Sequence, residues 1–374
     1  MSLELQQVLL AFASTILFIL TLAKVAPRLK LIDIPDQRKL HAGNVPLVGG
    51  LAIFLTLLLC TTIFGHKDGG VLSENDDTLA VFLLAAGVLV ALGVVDDRKH
   101  LSVFTRTTIE IIVALIVIEG LDLRMRHLGD LVGTGHIYLA GWLAYPFTIV
   151  CIFGIVNAFN MLDGMDGLLS VIVLITIIAF HLFTGIDPGL ISLTVGAALV
   201  AFLISNLRLA PFIPKTFLGD AGSKLLGFIV VALILTVTSA QIAGVKYIQP
   251  VTALYLVGLP LFDMAFTTLR RVYDRASPFR SDRTHIHHLM QALGLSNQRS
   301  LIIIGSIGIG FPFLGLMLHK SGAAAPYQFY IFVGCFILYC VLMSQAWQIA
   351  ERYQDVIARA GTTGNPEVWE QTIK

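Results

Sequence analysis

The sequence is poor in charge. Only 13% of its 374 residues are Asp, Glu, Lys or Arg, against 56% hydrophobic ones, and the mean hydropathy is +0.84. That balance excludes an ordinary soluble domain and describes a chain whose solvent is largely lipid. No nucleic-acid partner is expected. Cysteine is scarce too. Cys60, Cys151, Cys335 and Cys340 sit in apolar runs without metal-ligand spacing, so they read as buried thiols and not as a disulfide framework. No Lys or Arg precedes the first apolar run, and no small-residue cleavage site follows it. It therefore reads as a span and not as a signal peptide. Internal repeats, low-complexity tracts and a separate soluble domain are also missing.

What is present is a series of apolar runs long enough to cross a bilayer. They begin near Leu5, Leu47, Leu79, Val103, Trp142, Leu168, Leu190, Gly222, Pro250, Leu301 and Tyr327. The fold class expected is all-α, a single polytopic membrane domain of about eleven helices. Residues 120–141 carry Arg124, Arg126, His127 and Asp130 between glycines and read as an extracytoplasmic loop or hairpin. Residues 270–300 read as a cytoplasmic loop rich in His and Arg, and residues 348–374 as a partly helical cytoplasmic tail. Most of the 25 Lys and Arg fall after odd-numbered runs or in the tail, among them Arg28, Lys39, Lys99, Lys215 and Arg275. The positive-inside rule then places the N-terminus outside and the C-terminus in the cytoplasm.

Against this apolar background the polar clusters stand out. Asn157, Asn160, Asp163 and Asp166 recur every third residue at the end of the fifth run, which keeps successive groups on one side of a helix. Each alone reads as a polar cap; together they can present oxygens to a cation. Asp96 and Asp97 close the third run. Arg106, just inside the next, could pair with Glu110 one turn on, or could hold the Asp pair or a phosphate. Gly219-Asp220-Ala-Gly-Ser223 opens the eighth run with an acid at a helix start, either an N-cap or a cation ligand. Lys224 could neutralise it. Carboxylate and amide oxygens from Asn160, Asp163 and Asp220 suit Mg²⁺. The stretch Ser277 to His288 packs Arg280, Arg283, His285, His287 and His288 together. It suits a pyrophosphate better than zinc, for which companion ligands are lacking. Lys39 and His41, upstream of Gly49-Gly50, offer another anion contact. In the predicted topology every cluster is cytoplasmic, so charge bias and motif position agree on a site at that membrane face.

Asp96-Asp97, Asn157 to Gly167, Gly219 to Ser223 and His285 to His288, in this order, resemble the polyprenyl-phosphate N-acetylhexosamine-1-phosphate transferases. The resemblance covers nearly the whole chain. It is nearest to the bacterial branch that starts O-antigen and enterobacterial common antigen synthesis. It implies transfer of N-acetylglucosamine 1-phosphate from UDP-N-acetylglucosamine to undecaprenyl phosphate, with UMP released, in the bacterial inner membrane. It also implies Mg²⁺, which Mn²⁺ could replace, at Asn160 and Asp220, the acidic pair Asp96 and Asp97 near the lipid phosphate, and Arg283, His285, His287 and His288 on the nucleotide sugar. By analogy a homodimer is expected. The family often has a third Asp three residues after the pair, where His100 stands here. Another UDP-sugar is the alternative within this chemistry. A secondary transporter is the alternative outside it, and would place its acids nearer the bilayer midplane.

Overall fold

A computed structural model describes residues 2–34, 43–65, 72, 76–239, 248–278 and 283–363, with side chains as far as Tyr353. Lys39, His41 and Arg280 lie outside the described residues. The described chain is a helical bundle, and a helix starts within a few residues of every apolar run expected from the sequence: α1 (Leu3–Leu29), α2 (Gly49–Phe64), α3 (Asp76–Lys99), α4 (Val103–Gly120), α5 (Gly141–Leu162), α6 (Leu168–Thr184), α7 (Leu190–Asn206), α8 (Gly219–Thr238), α9 (Pro250–Leu254) continued through a 3₁₀ turn into α10 (Gly258–Tyr273), α12 (Asn297–Lys320) and α13 (Ala325–Thr363). A short α11 (Ile286–Ala292) lies between α10 and α12. By length and composition seven of the described helices can cross a membrane, α9 and α10 counted as one. Helices α2, α6 and α7 are apolar but shorter.

Two small antiparallel ladders complete the architecture. β1 (Ile32–Asp33) pairs with β2 (Val45–Pro46), and β3 (His127–Gly129) pairs with β4 (Ile137–Tyr138) across the segment that joins α4 to α5. Residues 270–300 are not wholly loop, because α11 interrupts them. Helix α13 runs without a break past Gln348 to Thr363, into the segment expected to be a tail.

Helix α8 is the axis of the bundle. From Leu225 on its sequence is apolar on nearly every side, the pattern of a helix with no solvent face, and every residue from Ala221 to Thr238 is buried. It packs against α2, α3 and α5. Close approach at its N-terminal end depends on small residues. A Cβ on Gly50 would strike the backbone of Gly222, and one on Gly93 would strike Ala221. The backbone of β2 and the start of α2 completes the clamp: Phe217 N donates to Pro46 O at 2.9 Å, Gly49 N to Phe217 O at 2.9 Å and Gly50 N to Leu218 O at 3.0 Å. The Gly219-Asp220 turn is thereby held from two sides by main chain.

Candidate active site

The C-terminal ends of α3 and α5, the N-terminal end of α8 and the residues before α12 surround a cavity of about 1010 Å³. Asp96, Asp97, Asn160, Asp163, Asp166, Asp220, Arg283 and His288 line it. Eight of the residues singled out in the sequence, from four separate stretches, therefore share one chamber.

Its acidic wall is built by short side chains on rigid elements. Asp96 is buried near the end of α3, where Oδ1 accepts from Leu101 N at 2.8 Å and Oδ2 from Arg106 at 3.2 Å. Arg106 thus holds Asp96 of the pair without itself lining the cavity, and its alternative partner Glu110 is engaged by Lys224. Asp97 Oδ1 accepts from the Asp220 main-chain N–H at 3.0 Å, while its Oδ2 is buried without a hydrogen-bond partner among the described residues. Asn160 donates its amide to Asp220 Oδ1 at 3.0 Å and to Ser223 Oγ at 2.7 Å. That commits its nitrogen and leaves its oxygen as the donor a cation would use. Asp163, past the end of α5, is pushed up to about 8 by burial and by the charges of Asp220, Asp97 and Asp166.

The wall offers hard oxygen donors to a metal. Among the described residues no three His, Cys, Asp or Glu side chains converge as a preformed centre. Mg²⁺ does not need one, since it commonly takes one or two carboxylates and completes its shell with water and substrate phosphates. An orphaned carboxylate oxygen in a cluster of acids calls for a cation or a proton, and the donors are the hard oxygens that Mg²⁺ prefers. The residues fit.

The opposite side is cationic and polar. Lys215 pairs with Asp166 at 2.6 Å, with its ammonium 5.0 Å from the centre of the Phe217 ring. Asn206 accepts from Gly167 N at 2.6 Å and donates to Thr216 O at 2.9 Å, which ties the Asp163-Gly167 turn to the end of α7. Arg208, Asn206 and Lys215 line the cavity and were not singled out in the sequence. A cation close before the Gly219-Asp220 motif was the available signal.

The histidines divide. His288 lines the cavity, with Nδ1 3.3 Å from Gln291 Oε1, whereas His285 and His287 are buried behind it. Asp263, on α10, organises them: Oδ2 lies 2.7 Å from His285 Nδ1, and Oδ1 accepts from Ile286 N at 2.8 Å and Tyr339 OH at 3.1 Å. The His285 and His287 rings lie parallel, 1° apart, with centroids at 5.8 Å. The His287 ring occupies the space a Cβ on Gly164 would need, so this loop closes directly over the acidic turn. Burial, and then the neighbouring His288 and His285, hold the His287 imidazole well below its usual range. His288 is also lowered, chiefly by burial.

Asn157 does not line the cavity. It donates to Glu110 at 2.7 Å, one turn deeper in the bundle.

The profile of glycosyl transferase family 4 matches residues 79–238, the span from α3 to α8 that carries the whole acidic wall. The undecaprenyl-phosphate alpha-N-acetylglucosaminyl 1-phosphate transferase of Escherichia coli (strain K12) is 32% identical over 345 residues, covering 91% of this chain and 90% of that protein. Its namesake from Salmonella typhimurium is 33% identical over 359 residues, 92% of each chain. The probable undecaprenyl-phosphate N-acetylglucosaminyl 1-phosphate transferase of Bacillus subtilis is 32% identical over 335 residues, 87% of this chain and 89% of that protein. Likeness of this extent reaches beyond the acidic wall to both ends of the bundle, and the chain belongs to glycosyl transferase family 4.

Proposed function

We propose that the chain transfers N-acetylglucosamine 1-phosphate from UDP-N-acetylglucosamine to undecaprenyl phosphate and releases UMP. The product, undecaprenyl-pyrophosphoryl-N-acetylglucosamine, is the lipid on which an O-antigen or enterobacterial common antigen type polysaccharide begins. The observation that carries this reading is the joining of an acidic wall to a cationic one in a single chamber at the ends of apolar helices. A membrane-bound phosphate and a soluble nucleotide sugar can meet there. The names and extent of the relatives support the acceptor and the transferred N-acetylglucosaminyl 1-phosphate group. The same reading takes eleven spans, the cavity on the cytoplasmic face of the bacterial inner membrane, the N-terminus outside and a homodimer.

The acceptor brings its own anionic oxygen, so the chain must aim it and take any remaining proton. Asp96 is fully engaged by Leu101 and Arg106, whereas Asp97 keeps one free oxygen, so Asp97 takes the proton. Arg106, 35% exposed, holds the acceptor phosphate at the boundary while bracing Asp96. Arg283 and His288 meet the donor's diphosphate. Mg²⁺, or Mn²⁺, bound at Asn160 and Asp220, supplies charge neutralisation for the transferring and leaving phosphate oxygens. The acceptor oxygen attacks the β-phosphorus directly, forming one P–O bond as the bond to the UMP oxygen breaks.

The test is UMP release by the purified protein in detergent with Mg²⁺ and undecaprenyl phosphate, given UDP-N-acetylglucosamine, UDP-N-acetylgalactosamine or UDP-muramyl-pentapeptide. Release with the first alone, dependent on lipid and Mg²⁺, is expected. Release with another donor would move the sugar, and none with any would overturn the transferase reading. Labelled protein after incubation with UDP-sugar alone would replace direct displacement by a phospho-Asp intermediate.

A further inference from the structure

Below the acidic wall lies a second polar layer that the reaction does not touch. Lys224 Nζ meets Glu110 Oε1 at 2.7 Å, and Asn157 Nδ2 donates to Glu110 Oε2 at 2.7 Å and to Phe153 O at 2.9 Å. Glu110 is 3% exposed and Lys224 1%. Neither lines the cavity. An ion pair this dry gains little or nothing in net stability over apolar side chains of the same size, because desolvation offsets the attraction. Its presence asks for another reason.

The reason is visible in the spacing. Three helices each carry one residue in or against the wall and one in the layer beneath: α4 has Arg106, which braces Asp96, and Glu110; α5 has Asn160 and Asn157; α8 has Asp220 and Lys224. Three or four residues correspond to roughly 5–6 Å along a helix. The signs alternate. On α4 the cation is against the wall and the acid below it; on α8 the acid is in the wall and the cation below. If α8 slid one turn towards the cavity, Lys224 would come level with Arg106, and Glu110 would lose its partner. A mismatch of that kind in a dry interior costs far more than a correct pair gains.

We propose that Glu110, Lys224 and Asn157 are positioning residues that fix the relative register of α4, α5 and α8. They thereby hold Arg106 against Asp96 and aim Asn160 and Asp220 into the cavity. The inference rests on the transferase reading, and it moves Asn157 from the cation-facing group to a support beneath it.

The test uses the full chain in detergent and three readouts: melting temperature, Mn²⁺ binding followed by electron paramagnetic resonance, and UMP release. Glu110→Gln combined with Lys224→Met removes both charges and leaves none buried alone. The combined variant is expected to melt close to the parent, to bind Mn²⁺ about tenfold more weakly and to turn over about tenfold more slowly, the usual cost of losing support behind a metal ligand. Parental Mn²⁺ binding and turnover in that variant would overturn the inference. If it does not accumulate folded, Asn157→Ala decides, since it spares the ion pair: a several-fold loss in both readouts is expected, and parental values overturn the inference. A parent that binds no Mn²⁺ and releases no UMP overturns the transferase reading and this inference with it. An active parent beside an unaltered combined variant overturns the inference alone.

Discussion

Asp97 and Asp220 owe their places to main chain, while the histidines across the cavity owe theirs to one carboxylate. In the acidic wall, Asp97 accepts a backbone N–H, and the Gly219-Asp220 turn is clamped by β2 and α2. Glycines at 50 and 93 let α2 and α3 press against the backbone of α8. Moving either acid means moving a helix. On the other side, His285 and the start of α11 are fixed by Asp263, and α13 adds Tyr339 to the same oxygen and Trp347 to Thr284 O at 3.1 Å. That wall can be loosened by changing a single side chain. A site for a metal and two anions gains from this division, since the metal side needs fixed geometry and the donor side must admit and release a large substrate.

The comparison breaks most clearly at the acidic wall. Asp220→Asn is expected to stay in the membrane and to lose at least about a hundredfold in turnover, as for a lost metal ligand. Near-normal UMP release at saturating Mg²⁺ would remove Asp220 from that role. Gly93→Ala comes next. Its new methyl meets backbone at Ala221, which cannot give way as a flexible side chain can. Loss of about 1–3 kcal/mol of stability, typical of an overpacked interior, is expected alongside a fall in turnover. A thermal melt in detergent reads the first effect, and an unchanged melt would show that α8 is free to shift.

Weaker effects are expected across the cavity. Asp263→Asn should keep the bundle intact and raise the donor KM about tenfold with a smaller change in kcat, because the hydrogen bonds that orient His285 and α11 weaken. An equal fall in kcat and kcat/KM would place His288 in the transition state instead. The smallest effect is on pH dependence. The folded His287 pKa lies below its unfolded value, so its contribution to stability is complete above the ordinary histidine range. It is lost as pH falls through the window between the two. Melting temperature should drop by roughly 1–2 °C for each kcal/mol lost on acidification. His287→Asn should flatten that slope, and an unchanged slope would assign the titration to another group.

Much of this was legible in the sequence because polar residues in apolar runs are costly and therefore conspicuous. Asp96, Asp97, Asn160, Asp163 and Asp220 stood out on that ground, and all line the cavity. The start of each helix followed from the apolar runs themselves. Partnerships were harder. Nothing along the chain tells Glu110 to choose Lys224 on α8 over Arg106 one turn away on its own helix, because that choice is set by how helices pack. Asp263 lies inside α10, and its three partners arrive from 22, 23 and 76 residues further on, so no local pattern announces them. Arg208 and Lys215 sit in a connection where basic residues are ordinary.

The enclosure of α8 has a consequence for the membrane itself. With all of its apolar length against protein, this helix has no lipid to match, whereas α12 and α13 show broad apolar faces outward. A thicker or thinner bilayer changes the tilt of the helices it touches. Asp220 and its neighbours are therefore insulated from acyl-chain length. Sensitivity to the host lipid enters through the helices that α8 packs against and, at the side of the cavity where the histidines stand, through α13 and its Trp347 contact.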